Sequence, residues 1–140
     1  ASNANSVLVS DKNINIIKRA MEKVSLDEFG TGRNFRLGIK GVEMAGKTGT
    51  VQVRRISTKE RESEEGVIKN EDRIWEWRDH ALYVGYAPMD KPRYAISVIV
   101  EHGGSGSSKA GPIARDIMEA TLTDDPTRFI PKNPIKKPLI

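Results

Sequence analysis

The 140-residue chain contains no cysteine. No disulfide framework can hold it, which fits an oxidising compartment and a reducing one equally. Its two histidines, His80 and His102, stand apart without ligand spacing, so neither a metal site nor a cofactor is expected. No stretch approaches the ~20 apolar residues of a membrane-spanning helix. The opening "ASNANSVLVS" has no basic region and no long apolar core, so it does not read as a signal peptide. Its first four residues are open to being a cloning remnant. On that reading the chain is an excised piece, and the lack of a targeting signal says nothing about its parent. A charge field of one sign is missing too. Lys and Arg number 23 against 19 Asp and Glu, for a net +4. The densest basic run, "RRISTKER" at 54–61, is followed at once by "ESEEG". It reads as a solvated, self-compensating loop, and no nucleic-acid groove is expected. No internal repeat is present.

What remains is the composition of a soluble globular domain, 37% hydrophobic and 30% charged. A chain this long buries roughly 68–70% of its unfolded surface. "VSDKNINIIKRAMEKVS" (9–25) reads as a helix, with Ile14, Ile17, Met21 and Val24 as one apolar stripe. Ser10 is placed to cap it and Asp11 lies in its first turn. Val9 and Ile14 sit where a hydrophobic staple forms. Residues 25–41 are punctuated by glycine and read as a loop or a short helical turn. A strand is expected from about Ala45 to Ile56, then a charged excursion over 58–77 with Trp75 and Trp77 at its end. Packing is the ordinary role for those tryptophans, a groove wall the alternative. "HALYVGYAP" (80–88) and "RYAISVIVEHG" (93–103) read as strands joined too briefly for a crossover, hence an antiparallel hairpin. The second is apolar throughout and should be buried on both faces. "GGSGSSKAG" (103–111) reads as a flexible loop. A helix over 112–122 begins at Pro112, with Ile113, Ile117 and Ala120 inward. Residues 126–140 form a proline-rich tail set apart from the 1–125 domain. Asp79 beside His80 invites a triad with a serine. The simpler reading is a strand start with a local hydrogen bond.

The functional question centres on Lys47. "GVEMAGKT" (41–48) satisfies G-x-x-x-x-G-K-[ST], the phosphate-binding loop. "KTGT" (47–50) instead matches the K-T-G signature of serine acyl-transfer sites. A phosphate loop needs a buried strand before it and a helix after it. Here "FRLGIKG" precedes, and "GTVQVRRI" follows with β-branched residues at alternate positions. The strand reading therefore holds. It sends Thr48 and Thr50 to one face and Lys47 to the other. Gly49 between the threonines lets a ligand backbone approach closely. Such a strip can take an extended peptide as an added strand, and two hydroxyls suit a carboxylate.

"GVEMAGKTGTVQV", then "RDHALYVGYAPMDKPRYAISVIVEHGGSG", then "AGPIARDIME" resembles the class B penicillin-binding proteins, and most closely their elongation-specific transpeptidases. The likeness covers roughly residues 10–122 in the family's order. It implies an α+β fold: the last strands of an antiparallel sheet flanked by helices, part of the transpeptidase and β-lactamase-like architecture. It implies a peptidoglycan D,D-transpeptidase that joins stem peptides through a serine acyl-enzyme and is inhibited by β-lactams. It implies a membrane-anchored parent at the periplasmic face of the inner membrane, acting with the cell-elongation machinery. Lys47 and Thr50 would be catalytic, the first lending positive charge and the second its amide to the oxyanion hole. Thr48, Gly49 and Thr50 would bind substrate. The family's S-x-x-K and S-x-N motifs are missing: no serine here has Lys three residues on or Asn two residues on. The chain is then one wall of an active site, inactive by itself. A sheet covered on one face only would also expose an apolar patch through which the fragment self-associates. The alternatives are a non-catalytic peptide or cell-wall binding module and, remotely, a nucleotide-binding protein.

Overall fold

The computed structural model describes residues 9–124. The proline-rich tail lies outside them. Helix α1 spans Asp11–Leu26. The Ser10 hydroxyl accepts the Asn13 amide at 3.4 Å, and Asp11 sits in the first turn against the helix dipole. The expected stripe is only partly covered. Met21 and Val24 are half-buried, but Ile17 is 57% exposed and Ile14 is exposed as well. Near Lys47, α1 contributes Ala20, Lys23 and Val24 to a shared groove, with Asp27 just past its end. The glycine-punctuated stretch holds a single 3-10 turn, Arg33–Phe35. Its Phe35 is buried edge-on against Tyr83, with ring centroids 5.3 Å apart at 86°.

Three strands form one antiparallel sheet in the order β1 (Ala45–Val51), β2 (His80–Ala87), β3 (Tyr94–Val100). The register places Lys47 opposite Val84, Thr50 opposite Ala81, and Leu82 opposite Ile99. Strand β1 stops at Val51, short of the expected Ile56. Val51 pairs with His80, the first residue of β2, and the described pairing ends there. The excursion contains the single-turn helix α2 (Thr58–Arg61), capped by the Ser57 hydroxyl, and 3-10 turns at Asn70–Asp72 and Trp75–Trp77. The β2–β3 hairpin turns through a cis Ala87–Pro88 bond and closes with the Arg93 amide on the Ala87 carbonyl at 3.0 Å.

The core lies on one face of this sheet. Ala81, Tyr83 and Ala87 are fully buried there, with Ile96, Val98 and Val100 packed beside them. Helix α3 (Gly111–Thr123) covers that face. Its inward side is Ala114, Met118 and Leu122, not the expected Ile113, Ile117 and Ala120. Ile117 is 49% exposed. The reason is steric. The helix starts so close to Phe35 that a Cβ on Gly111 would lie 2.4 Å from the ring, and the small Ala110 and Ala114 fit there. The segment at 103–111 is likewise no flexible loop. Gly106–Ala110 form a π-helical turn that runs directly into α3, with Gly106 and Ala110 buried. The other face of β3 is open: Ala95, Ser97 and Ile99 are exposed, Ile99 by 64%. The expectation that β3 is buried on both sides does not hold within these residues, because α3 lies on one side only.

Candidate active site

Strand alternation sorts the K-T-G-T stretch. Lys47 shares a face with its partner Val84, while Thr48 and Thr50 share the opposite face with Tyr83 and Ala81. The Lys47 ammonium donates to the Thr48 carbonyl at 2.6 Å and is otherwise exposed. Thr48 and Thr31 hold their hydroxyls 3.0 Å apart. Thr31 was not among the residues singled out from sequence. The only trace of it there is the "GTG" at 30–32, which folds back as the Gly32 amide reaches the Val24 carbonyl at 2.8 Å. Thr50 is exposed. Strand β1 lies at the edge of the sheet, and no described strand pairs with its other side.

Two glycines fix the backbone beneath these side chains. A Cβ on Gly46 would meet the Tyr83 hydroxyl at 2.0 Å. A Cβ on Gly106 would lie 2.4 Å from the carbonyls of both Gly49 and Leu82. The π-turn therefore rests directly on the Gly49 backbone, and any side chain at 106 would lift it off. Burial pushes the Tyr83 phenol up to about 12; its hydroxyl has no hydrogen-bond partner. On the Lys47 side, an open groove of about 450 Å³ runs between β1 and the end of α1, lined by Ala20, Val24, Asp27, Phe29, Thr31 and Lys47.

The other candidates resolve into structural contacts. Both Asp79 oxygens face the Arg73 guanidinium at 3.1 and 3.2 Å. His80 Nδ1 accepts the His102 amide at 2.8 Å, and His102, at φ 53°, points its Nδ1 at the Arg78 carbonyl at 3.0 Å. Among the described residues, the hydrogen bonds of Asp79 and His80 involve no serine. Trp75 packs its ring 4.3 Å from that of His102. Arg54 lies over Trp77 at 5.9 Å. Both tryptophans remain half-exposed. In the basic run, Arg54 forms a bidentate pair with Glu60. Hydrogen bonding to Arg54 holds the Glu60 carboxyl below its ordinary value, and the same bond raises Arg54. No group of His, Asp or Glu side chains among the described residues is arranged to hold a metal ion. Lys47 is followed by strand, not helix, so the phosphate-loop reading lacks the helix N-terminus it requires.

The penicillin binding protein transpeptidase domain family matches residues 2–119. The chain belongs to that family. A relative from Haemophilus influenzae, peptidoglycan D,D-transpeptidase MrdA, is 38% identical over 105 residues, or 75% of this chain and 15% of the relative. Among solved structures, Pseudomonas aeruginosa PBP2 in complex with WCK 5153 superposes with a TM-score of 0.60 at 33% identity, covering 85% of this chain and 22% of that one. The PBP2–MreC complex of Helicobacter pylori gives 0.61 at 30% identity, covering 81% and 17%. The chain thus spans about one-sixth of the curated relatives' length. The fold is a partial penicillin-binding-protein transpeptidase fold, α+β as the sequence implied.

Proposed function

We propose that this chain forms one wall of a peptidoglycan D,D-transpeptidase active site. The observation that carries this is the K-T-G-T stretch on a sheet edge that no described strand pairs, with its backbone seated on the Gly106 turn. An extended stem peptide adds along such an edge. In this reading Thr48 and Thr50 hold the substrate or β-lactam carboxylate, each hydrogen bond to that charge contributing roughly 1.5–3 kcal/mol. The Thr50 amide stabilises the oxyanion of the tetrahedral intermediate, a contribution of about 2.7–4 kcal/mol for such a donor. Gly49 leaves room for the ligand backbone. Lys47, on the other face, supplies positive charge beside the nucleophile. The S-x-x-K serine and the S-x-N motif come from sequence outside these 140 residues. The parent works at the periplasmic face of the inner membrane, and the MreC-bound Helicobacter pylori relative supports a place beside the cell-elongation machinery.

Intact-mass spectrometry after β-lactam treatment tests the reading. The 140-residue chain should gain no covalent adduct. The chain extended through an upstream S-x-x-K should gain one per molecule, and Thr48→Ala or Thr50→Ala in that protein should slow its formation. An adduct on the short chain would reveal a different nucleophile. An extended protein that binds stem peptide without acylation would make this a binding module instead.

A further inference from the structure

Asp79 does more than open β2. It is bonded to three separate segments. Its Oδ1 accepts the Val53 amide at 3.3 Å, three residues beyond Thr50. Its own amide donates to the Asn70 side chain at 2.9 Å. Its carbonyl accepts the Gly104 amide at 2.8 Å. Its carboxylate faces Arg73, whose side chain is 6% exposed and whose Nε donates to the Ile68 carbonyl at 3.0 Å. Gly104, at φ 88°, leads within two residues to Gly106, the residue seated against the Gly49 backbone. A Cβ at Gly104 would also strike the Asn70 amide at 2.5 Å, so this approach is tight throughout.

We infer that Asp79, held by Arg73, is the positioning residue of the K-T-G-T strand. Its carboxylate grips β1 just past its end, at the Val53 amide, and its main-chain carbonyl holds the Gly104–Gly106 segment beneath. Those two ends bracket Gly49 and Thr50. An unpaired edge strand has no neighbour on its outer side to fix its course, so its placement depends on what holds its ends and its floor. A displacement on the order of 1 Å in a catalytic donor can cost about a hundredfold in rate. The charged pair suits this role because its geometry is directional where apolar packing is not. This inference deepens the transpeptidase reading and rests on it for its catalytic meaning. The clamp itself can be measured without it.

The experiment compares three forms of the 140-residue chain: the original, Asp79→Ala, and Asp79→Ala with Arg73→Met. The double variant leaves no buried unpaired charge, so it keeps the fold even if the single one does not. Amide hydrogen exchange should accelerate at least about tenfold at residues 50–53 in both variants, while Gly104, bonded to the Asp79 main-chain carbonyl that alanine keeps, should change little. The amides of α3 from 114 to 122 should stay unchanged in the double variant. Uniform acceleration throughout the chain, or none at 50–53, would overturn the clamp. In the second arm, the double variant is placed in the extended transpeptidase. Its second-order β-lactam acylation rate should fall about 10- to 100-fold. A rate within twofold of the original, with exchange altered as expected, would overturn the positioning role. An unsubstituted extended protein that never acylates would count against the transpeptidase reading, and the exchange result would still decide the clamp.

Discussion

The two faces of the sheet are made to different standards. Under α3, Ala81, Tyr83 and Ala87 are fully buried and Met118 fills the space above them. On the Lys47 side, Val84 and Ile99 stand in the open, and α1 lies beside Lys47. The same three strands thus carry a finished core on one side and an open apolar surface on the other. Stability should reside on the first face. Association should reside on the second face, and chemistry along the free edge of β1.

The sharpest way to break this contrast is to truncate one residue on each face. Met118→Ala should cost about 2–5 kcal/mol in urea unfolding, because the cavity cannot collapse between helix and sheet. Ile99→Ala should stay within ~0.5 kcal/mol. Equal losses would mean that the Lys47 face is covered in solution. Alkaline titration probes the same core without mutation. Burial pushes the Tyr83 phenol up to about 12, against about 10 unfolded. Between those values the folded state keeps a proton that the unfolded state releases. Stability should therefore fall as pH rises through that window, by about 2–3 kcal/mol. A Tyr83→Phe variant should lose most of that slope, Tyr86 keeping a remainder because burial raises its phenol too; an unchanged slope would assign the effect elsewhere. Gly46→Ala comes next. Its methyl would intrude on the Tyr83 hydroxyl, and overpacking of this kind costs about 1–3 kcal/mol. A neutral result would show that both the ring and the Val84 carbonyl, 2.6 Å from such a methyl, give way. The smallest effect on stability belongs to Ile99→Lys. It should leave the unfolding midpoint nearly unchanged while abolishing self-association in sedimentation equilibrium at micromolar concentration. A monomeric original chain would remove the open-face argument.

Much of this arrangement is legible in the sequence, and the failures have physical causes. The alternation of Lys47, Thr48, Gly49 and Thr50, and the short "MDKP" link, are local signals that survive in the fold as β1 and the β2–β3 hairpin. The inward side of α3 is not local. Ranking by hydrophobicity selects Ile113 and Ile117, but the bulk of Phe35 and Tyr83 below admits Ala110, Gly111 and Ala114. The "GGSGSS" composition has the mark of flexibility. Gly106 is there instead because two carbonyls leave no room for a Cβ. Thr31 joins Thr48 through a fold-back that no spacing rule encodes. The Asp79 hub draws on residues from 53 to 104, too far apart for any motif to contain.

Gly46 also shows how a chain can spell a signature it does not use. The letters that imitate a nucleotide-binding loop begin with Gly41 and close with Gly46 before Lys47. Gly41 sits at φ 77°, a backbone conformation that L side chains seldom adopt. Gly46 is kept small by a phenol ring on the neighbouring strand. Each letter of the imitation has its own cause, one a turn and the other a crowded ring, and neither concerns phosphate. A pattern search on sequence alone would file this protein among the ATPases on the strength of two unrelated steric accidents.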